Sequence, residues 1–79
     1  MNATQISLNQ LPIGRKANVS TLTSDGATRR RMLDLGVIDG TEIEPLYKSP
    51  SGNPVAYLIR GAVIALRADV SEKIIVSMA

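Results

Sequence analysis

Apolar and polar residues alternate along several short stretches of the chain, and this period of two residues is typical of β-strands with one buried face. Proline and glycine clusters separate the stretches and indicate turns. The predicted strands span Arg15 to Leu22, Glu42 to Lys48, Val55 to Arg60, Ala62 to Arg67 and Ile74 to Met78. Because Pro45 cannot donate a ladder hydrogen bond, we expect an edge position or a β-bulge in the second of them.

One longer segment, Gly26 to Leu35, has the residue types of a short α-helix, and Gly36 stands where a left-handed C-cap residue belongs. Single helical turns are predicted from Ser7 to Pro12 and from Ala68 to Glu72. These elements predict one mostly β domain over residues 1–79. Its expected architecture is a small, closed or nearly closed barrel of about five strands with one short α-helix and 3-10 turns.

Alternation also predicts which side chains are buried. The core candidates lie on the inward faces of the strands or near the end of the helix. They are Leu33, Leu35, Val37, Ile43, Pro45, Tyr47, Val55, Tyr57, Ile59, Ala62, Ile64, Leu66, Ile74, Val76 and Met78.

Three apolar residues are left on the outward faces. A two-residue turn at Arg60-Gly61 pairs Leu58 with Val63 and directs both outward, and Leu46 on the neighbouring strand points the same way. Such residues can be scattered surface positions, can be covered by the helix or a terminus, or can form a partner-binding surface. We single out these three as candidate partner-binding residues.

The composition argues against catalysis. The chain has no cysteine and no histidine, which removes thiolate chemistry, thiolate-metal sites and the commonest general base. Glu42 and Glu44 alternate on one strand face, but two carboxylates without a third ligand make a poor cation site. A phosphate-binding Gly-x-x-x-x-Gly-Lys-Ser/Thr motif is absent. We therefore expect no enzymatic activity, no catalytic residue, no metal site and no cofactor.

Arg29, Arg30 and Arg31 concentrate positive charge in a chain whose net charge is only +2. They can be a solvated helix face, a contact for an acidic partner, or the source of an arginine finger for a phosphoryl-transfer site. We include them among the candidate partner-binding residues. Nucleic-acid binding by a small barrel would also require stacking aromatic residues, and the chain has two tyrosines and no tryptophan or phenylalanine.

The longest uninterrupted apolar runs are five residues, whereas a membrane-spanning helix needs about 20. No basic residue precedes Arg15, so the N-terminal stretch does not have the pattern of a signal peptide. We expect a soluble cytoplasmic protein that does not insert into the membrane.

Four segments, taken in order, resemble the ferrous iron transport protein A (FeoA) family. They are the arginine-rich helix ending in Leu33-Asp34-Leu35-Gly36, the strand start Gly40-Thr41-Glu42-Ile43, the turn Ser49-Pro50-Ser51-Gly52-Asn53-Pro54, and Gly61 followed by Ile64-Ala65-Leu66-Arg67. The resemblance extends from about Gly14 to Val76. Ser51 and Pro45 depart from it, since the family often has leucine at the first position and a β-branched residue at the second.

The resemblance implies an SH3-like barrel in the bacterial cytoplasm. Family members assist FeoB, the membrane protein that imports Fe(II) and carries a cytosolic G-protein domain. The expected function is therefore a small accessory protein of ferrous iron uptake that binds the cytosolic region of FeoB and modulates transport. The alternatives are a freestanding SH3-like module that binds nucleic acid or another protein through its basic helix, and a regulatory module of a repressor system. The oligomeric state, including a homo-oligomer formed through the outward apolar residues, stays open.

Overall fold

One antiparallel sheet organises the chain in the computed structural model, which describes residues 4–78. Its strands are β1 (Thr4–Ser7), β2 (Ala17–Leu22), β3 (Glu42–Lys48), β4 (Val55–Ile59), β5 (Ala62–Leu66) and β6 (Ile74–Met78). The strands lie in the order β1-β6-β2-β3-β4-β5. The helices are α1 (Gly26–Asp34) and α2 (Ala68–Ser71), and a 3-10 helix spans Leu8–Gln10. The prediction of a mostly β fold with one short α-helix and helical turns is confirmed.

The sheet packs on a single core. Buried residues from five of its strands and from α1 belong to one hydrophobic cluster. The fully enclosed members include Val19 of β2, Ile43 of β3, Ile59 of β4 and Val76 of β6. The two ends of the ladder, β1 and β5, each pair with one neighbour within the described residues.

The sequence-based prediction missed β1. Thr4–Ser7 pairs with β6, but Ile6 is its one apolar residue and therefore no alternation marks it. β2 also begins at Ala17, two residues later than expected. Main-chain pairing with β6 forms β1, and that pairing is invisible to a pattern of side-chain polarity.

Helix α1 ends in the predicted glycine cap. The amide of Val37 donates to the carbonyl of Met32 at 2.9 Å and the amide of Gly36 donates to that of Leu33 at 3.0 Å, which is a Schellman motif with Gly36 at φ +89°. The Thr41 hydroxyl then donates to the Gly36 carbonyl at 2.8 Å. These bonds fix the end of α1 to the start of β3.

The inward face of α1 differs from the prediction. Met32 is buried, whereas Leu33 is 42% exposed and Leu35 is half-buried. Successive helical residues are about 100° apart, so burying Met32 turns Leu33 towards solvent. Val37 is buried as predicted.

A β-bulge in β3 explains a second correction. The register shifts between Pro45 and Tyr47, so that Leu46 is an extra residue. The bulge falls where proline predicted an irregularity, and Pro45 itself is buried. Beyond the bulge, Tyr47 is turned outward and is 61% exposed instead of lying in the core. Ala62, at the start of β5, is likewise exposed and not a core residue.

The predicted two-residue hairpin connects β4 and β5. Arg60 has φ +51° and Gly61 has φ +83°, the signs that a type I′ turn requires. The side chain of Arg60 lies over Gly36, where an added Cβ would overlap Arg60 Cδ unless that exposed side chain moved. The positive φ of residue 36 is the stronger reason for glycine at this position.

Candidate partner-binding surface

The outward side of the β3-β4-β5 sheet carries an apolar surface. The register places Leu58 opposite Val63, and Tyr47 opposite Ala56, which shares a face with Leu58. Val63 is 58% exposed, and Leu58 and Leu46 are half-buried. We call Leu46, Tyr47, Leu58 and Val63 the outer face. The pairing of Leu58 with Val63 agrees with the sequence-based prediction.

Tyr47 is the member of the outer face that the sequence analysis missed. Unbroken alternation along β3 assigned it to the core, but the extra residue at Leu46 reverses the side on which it lies. Pro45 was the available signal, because a proline within a strand often accompanies a bulge. The bulge thereby adds an aromatic side chain, the residue type most enriched at protein interfaces, to the exposed surface.

The three candidate arginines do not form one patch. Arg29 donates a hydrogen bond from Nη1 to the carbonyl of Leu22 at 3.0 Å, at the end of β2. Arg29 and Arg30 both border a shallow hollow beside the exposed side chain of Leu33. Arg31 lies on another side of α1, in a groove that Leu66 and Arg67 also line. A helix period of about 100° per residue turns Arg31 away from the hollow that Arg29 and Arg30 share.

The only ion pair found among the described residues joins Arg67 and Asp69 at 4.0 Å, with both side chains largely exposed. Within residues 4–78, no carboxylate oxygen lies within 4.0 Å of a charged nitrogen of the α1 arginines. An exposed pair such as Arg67–Asp69 contributes about 0–1 kcal/mol, so Arg67 also stays available to another anion.

A second exposed apolar pair lies on the far side of α1. Leu33 is 42% and Ile38 is 47% exposed, and both border a shallow hollow with Arg29. The sequence analysis placed Leu33 in the core and did not single out Ile38. Only the orientation of α1, which the burial of Met32 sets, shows that they are accessible.

The carboxylates do not gather into a metal site. Across the described residues, no three His, Cys, Asp or Glu side chains come together in a group that could hold a metal ion. Glu42 and Glu44 border a hollow that Arg60 also lines. Within residues 4–78, no helix has both the length and the apolar character needed to cross a membrane.

Burial perturbs one titratable group. Tyr57 is enclosed in the core, and desolvation raises the pKa of its phenol above the ordinary value, with the neighbouring Ser71 hydroxyl opposing part of the rise. Tyr57 pairs with Ile64 of β5. Its neutral ring supports β5 from the core side.

Comparison with solved structures identifies the class of protein as a small SH3-like domain. A FeoA from Stenotrophomonas maltophilia complexed with zinc, described as a prokaryotic SH3 domain protein and a candidate ferrous iron transport activating factor, is 27% identical, with 90% of this chain and 88% of that chain covered and a TM-score of 0.81. The expected SH3-like fold is thus confirmed.

The family model for the FeoA domain matches residues 6–78, and the chain belongs to the FeoA family. A FeoA-like protein from Clostridium acetobutylicum is 33% identical over 99% of this chain and 90% of that chain, with a TM-score of 0.86. The FeoA protein from Chlorobium tepidum is 30% identical over 92% of this chain and 70% of that chain, also with a TM-score of 0.86. A search of curated proteins finds no match.

Proposed function

We propose that this chain is a non-enzymatic, cytoplasmic accessory protein of ferrous iron transport, which binds the cytosolic region of the membrane Fe(II) transporter FeoB and modulates uptake. Membership of the FeoA family supports the role. The outer face is the observation that supports binding, because it exposes Tyr47 and Val63 beside the half-buried Leu46 and Leu58. Residues that supply the usual nucleophiles and bases, cysteine and histidine, do not occur in the chain.

The outer face has the character of a binding surface. Its centre is apolar and aromatic, and water is expelled from it when a partner covers it, at about 25 cal/mol per Å² of apolar area buried. Charged residues, including Glu44 opposite Leu58, lie at its margin. An apolar centre with a polar rim is the usual anatomy of a protein interface.

The arginines of α1 have a subsidiary part in this proposal. Arg29 and Arg30 border one hollow and Arg31 lies in a different groove, so the three do not form a single contact surface. The outer face therefore carries the affinity, and an arginine contributes mainly to the rate and orientation of encounter.

Binding to the purified cytosolic domain of the cognate transporter, and to the full-length transporter, tests the proposal by biolayer interferometry. Leu58→Glu and Tyr47→Glu place a charge in the outer face, and we expect each to weaken binding at least about tenfold, because a buried unpaired charge opposes association. Thr4→Glu is the matched control, since Thr4 is an exposed strand residue of β1, at the end of the sheet away from the outer face.

Circular dichroism spectra and the sedimentation mass of each variant separate loss of binding from loss of folding or from self-association. Absence of binding by the wild-type chain to either form of the transporter would overturn the proposal. If the Kd of the wild-type chain rises steeply with salt and the outer-face variants bind as tightly as the wild type, the result would instead support a phosphate-binding role for the arginines.

A further inference from the structure

Strand β5 has an open main-chain edge. It pairs only with β4 among the described strands. The two-residue turn makes Ile59 and Ala62 a hydrogen-bonded pair, and hydrogen-bonded pairs alternate along an antiparallel ladder. The amides and carbonyls of Val63 and Ala65 consequently point away from β4. No hydrogen bond from another described residue reaches them.

Strand β5 itself carries no charge, no proline and no bulge that would block pairing along this edge. All five residues of β5 are apolar, and its pairing with β4 is regular and free of bulges. Proteins commonly block such edges with charged residues, prolines, bulges or a covering loop, because an open apolar edge pairs with other chains.

A groove lies beside the C-terminal end of the open edge. Thr28, Arg31 and Met32 of α1 form one wall, Ala65, Leu66 and Arg67 form the other, and Val70 of α2 also lines it. Its volume is about 280 Å³. An added strand would pass between β5 and α1, with its main chain bonded to β5 and its side chains contacting the helix.

The charges of the groove specify the occupant. Arg31 and Arg67 both line it, and their only carboxylate neighbour within residues 4–78 is Asp69, at 4.0 Å from Arg67. Arginine pairs preferentially with carboxylates through charge-assisted hydrogen bonds. Neither edge strand of a second copy, β1 or β5, contains an acidic residue. The groove therefore suits an acidic segment of a different protein better than another copy of this chain.

We propose that the groove between β5 and α1 accepts an extended, acidic segment of a partner protein, which adds to the sheet as a strand along β5. The main chain of the segment bonds to Val63 and Ala65, and its carboxylates contact Arg31 and Arg67. The groove recognises main-chain groups and carboxylates, whereas the outer face beside it offers apolar side chains. The proposal therefore does not require the transporter to be that partner.

A synthetic peptide tests main-chain recognition directly. The probe is an acetylated and amidated octapeptide of alternating valine and threonine with a glutamate at each end, titrated into the ¹⁵N-labelled full chain. We expect the amide resonances of Val63 and Ala65 to shift most. Two N-methylated versions of the peptide block complementary sets of alternate amides. They should differ in affinity for the chain, because only one set of amides faces β5. Equal binding by both versions, or no shift along β5, would overturn the proposal.

Variants of the chain test the same groove from the other side. Ala65→Pro removes an outward amide without removing a bond to β4, and Arg31→Glu reverses the charge of one wall. We expect each to weaken peptide binding at least about tenfold, whereas Arg15→Glu, at an exposed site outside the groove, leaves it unchanged. If Ala65→Pro fails to fold, Arg31→Glu and a lysine-ended peptide still test the charge requirement, and unchanged binding by both would overturn it. A dimer of the wild-type chain that Ala65→Pro abolishes, together with no shift along β5 on addition of the peptide, would identify a second copy as the occupant and overturn the proposal.

Discussion

The two ends of the sheet occupy equivalent positions and are built differently. β1 has four residues, of which Ile6 is the one apolar member, and Gln5 hydrogen-bonds the hydroxyl of Ser20 at 3.0 Å. β5 has five residues, all apolar, beside a groove lined by two arginines. A short polar edge resists pairing with other chains, whereas an apolar regular edge favours it. The difference indicates that association, if it occurs through a sheet edge, occurs at β5.

The largest expected effect is on the free energy of unfolding, and it distinguishes the main-chain groups of β5 that bond to β4 from those that point away. Ile64→Pro removes a ladder hydrogen bond to Tyr57, and we expect it to lower the free energy of unfolding by about 3 kcal/mol. Ala65→Pro removes an amide that points away from β4, and we expect a loss of about 1 kcal/mol or less. Urea denaturation measures both. Equal losses would show that the amide of Ala65 does not lie on the open edge.

A smaller effect sharpens the contrast between the two edges. Ala65→Lys places a charge on β5 at an exposed position outside the outer face and should suppress concentration-dependent self-association and aggregation, while changing the free energy of unfolding by about 0.5 kcal/mol or less. Gln5→Lys, at an exposed position of β1, is the matched control and should leave association unchanged. Light scattering and sedimentation at increasing protein concentration measure the outcome. A stronger effect of Gln5→Lys would reverse the assignment of the reactive edge.

The smallest expected effect concerns alkaline pH. Burial raises the pKa of Tyr57 above its ordinary value in the folded chain, so the folded state holds the phenol proton more tightly than the unfolded state. The stabilisation is complete below the unfolded pKa and is lost as pH rises through the folded pKa. We expect Tyr57→Phe to reduce the decline in unfolding free energy above about pH 10. A decline of the same size in the wild type and in Tyr57→Phe would contradict this origin.

Much of the fold followed from the sequence because the barrel is made of short strands separated by clear turns. The bounds of β3 and β6 match the prediction, and β4 and β5 end one residue earlier than expected. β1 could not be predicted, since polar residues form it through pairing with β6. Tyr47 was wrongly assigned to the core because one extra residue in a strand moves every later side chain to the opposite face of the sheet.

The candidate site was predictable only in part. The opposition of Leu58 and Val63 follows from the length of the hairpin turn alone. The dispersal of the three arginines follows from the helix period, but what each one faces depends on the orientation of α1, which Met32 sets. The groove between α1 and β5 joins segments more than 30 residues apart in the chain, and no local pattern of residues reveals it.

The contact of Arg60 with Gly36 bears on how this sequence can diverge. Residue 36 has a positive φ, and an added Cβ there would overlap Arg60 Cδ. A lineage that first shortens residue 60 removes that overlap, whereas the backbone strain at residue 36 stays the same in either order. The steric tolerance of position 36 therefore depends on the residue found 24 positions later in the chain.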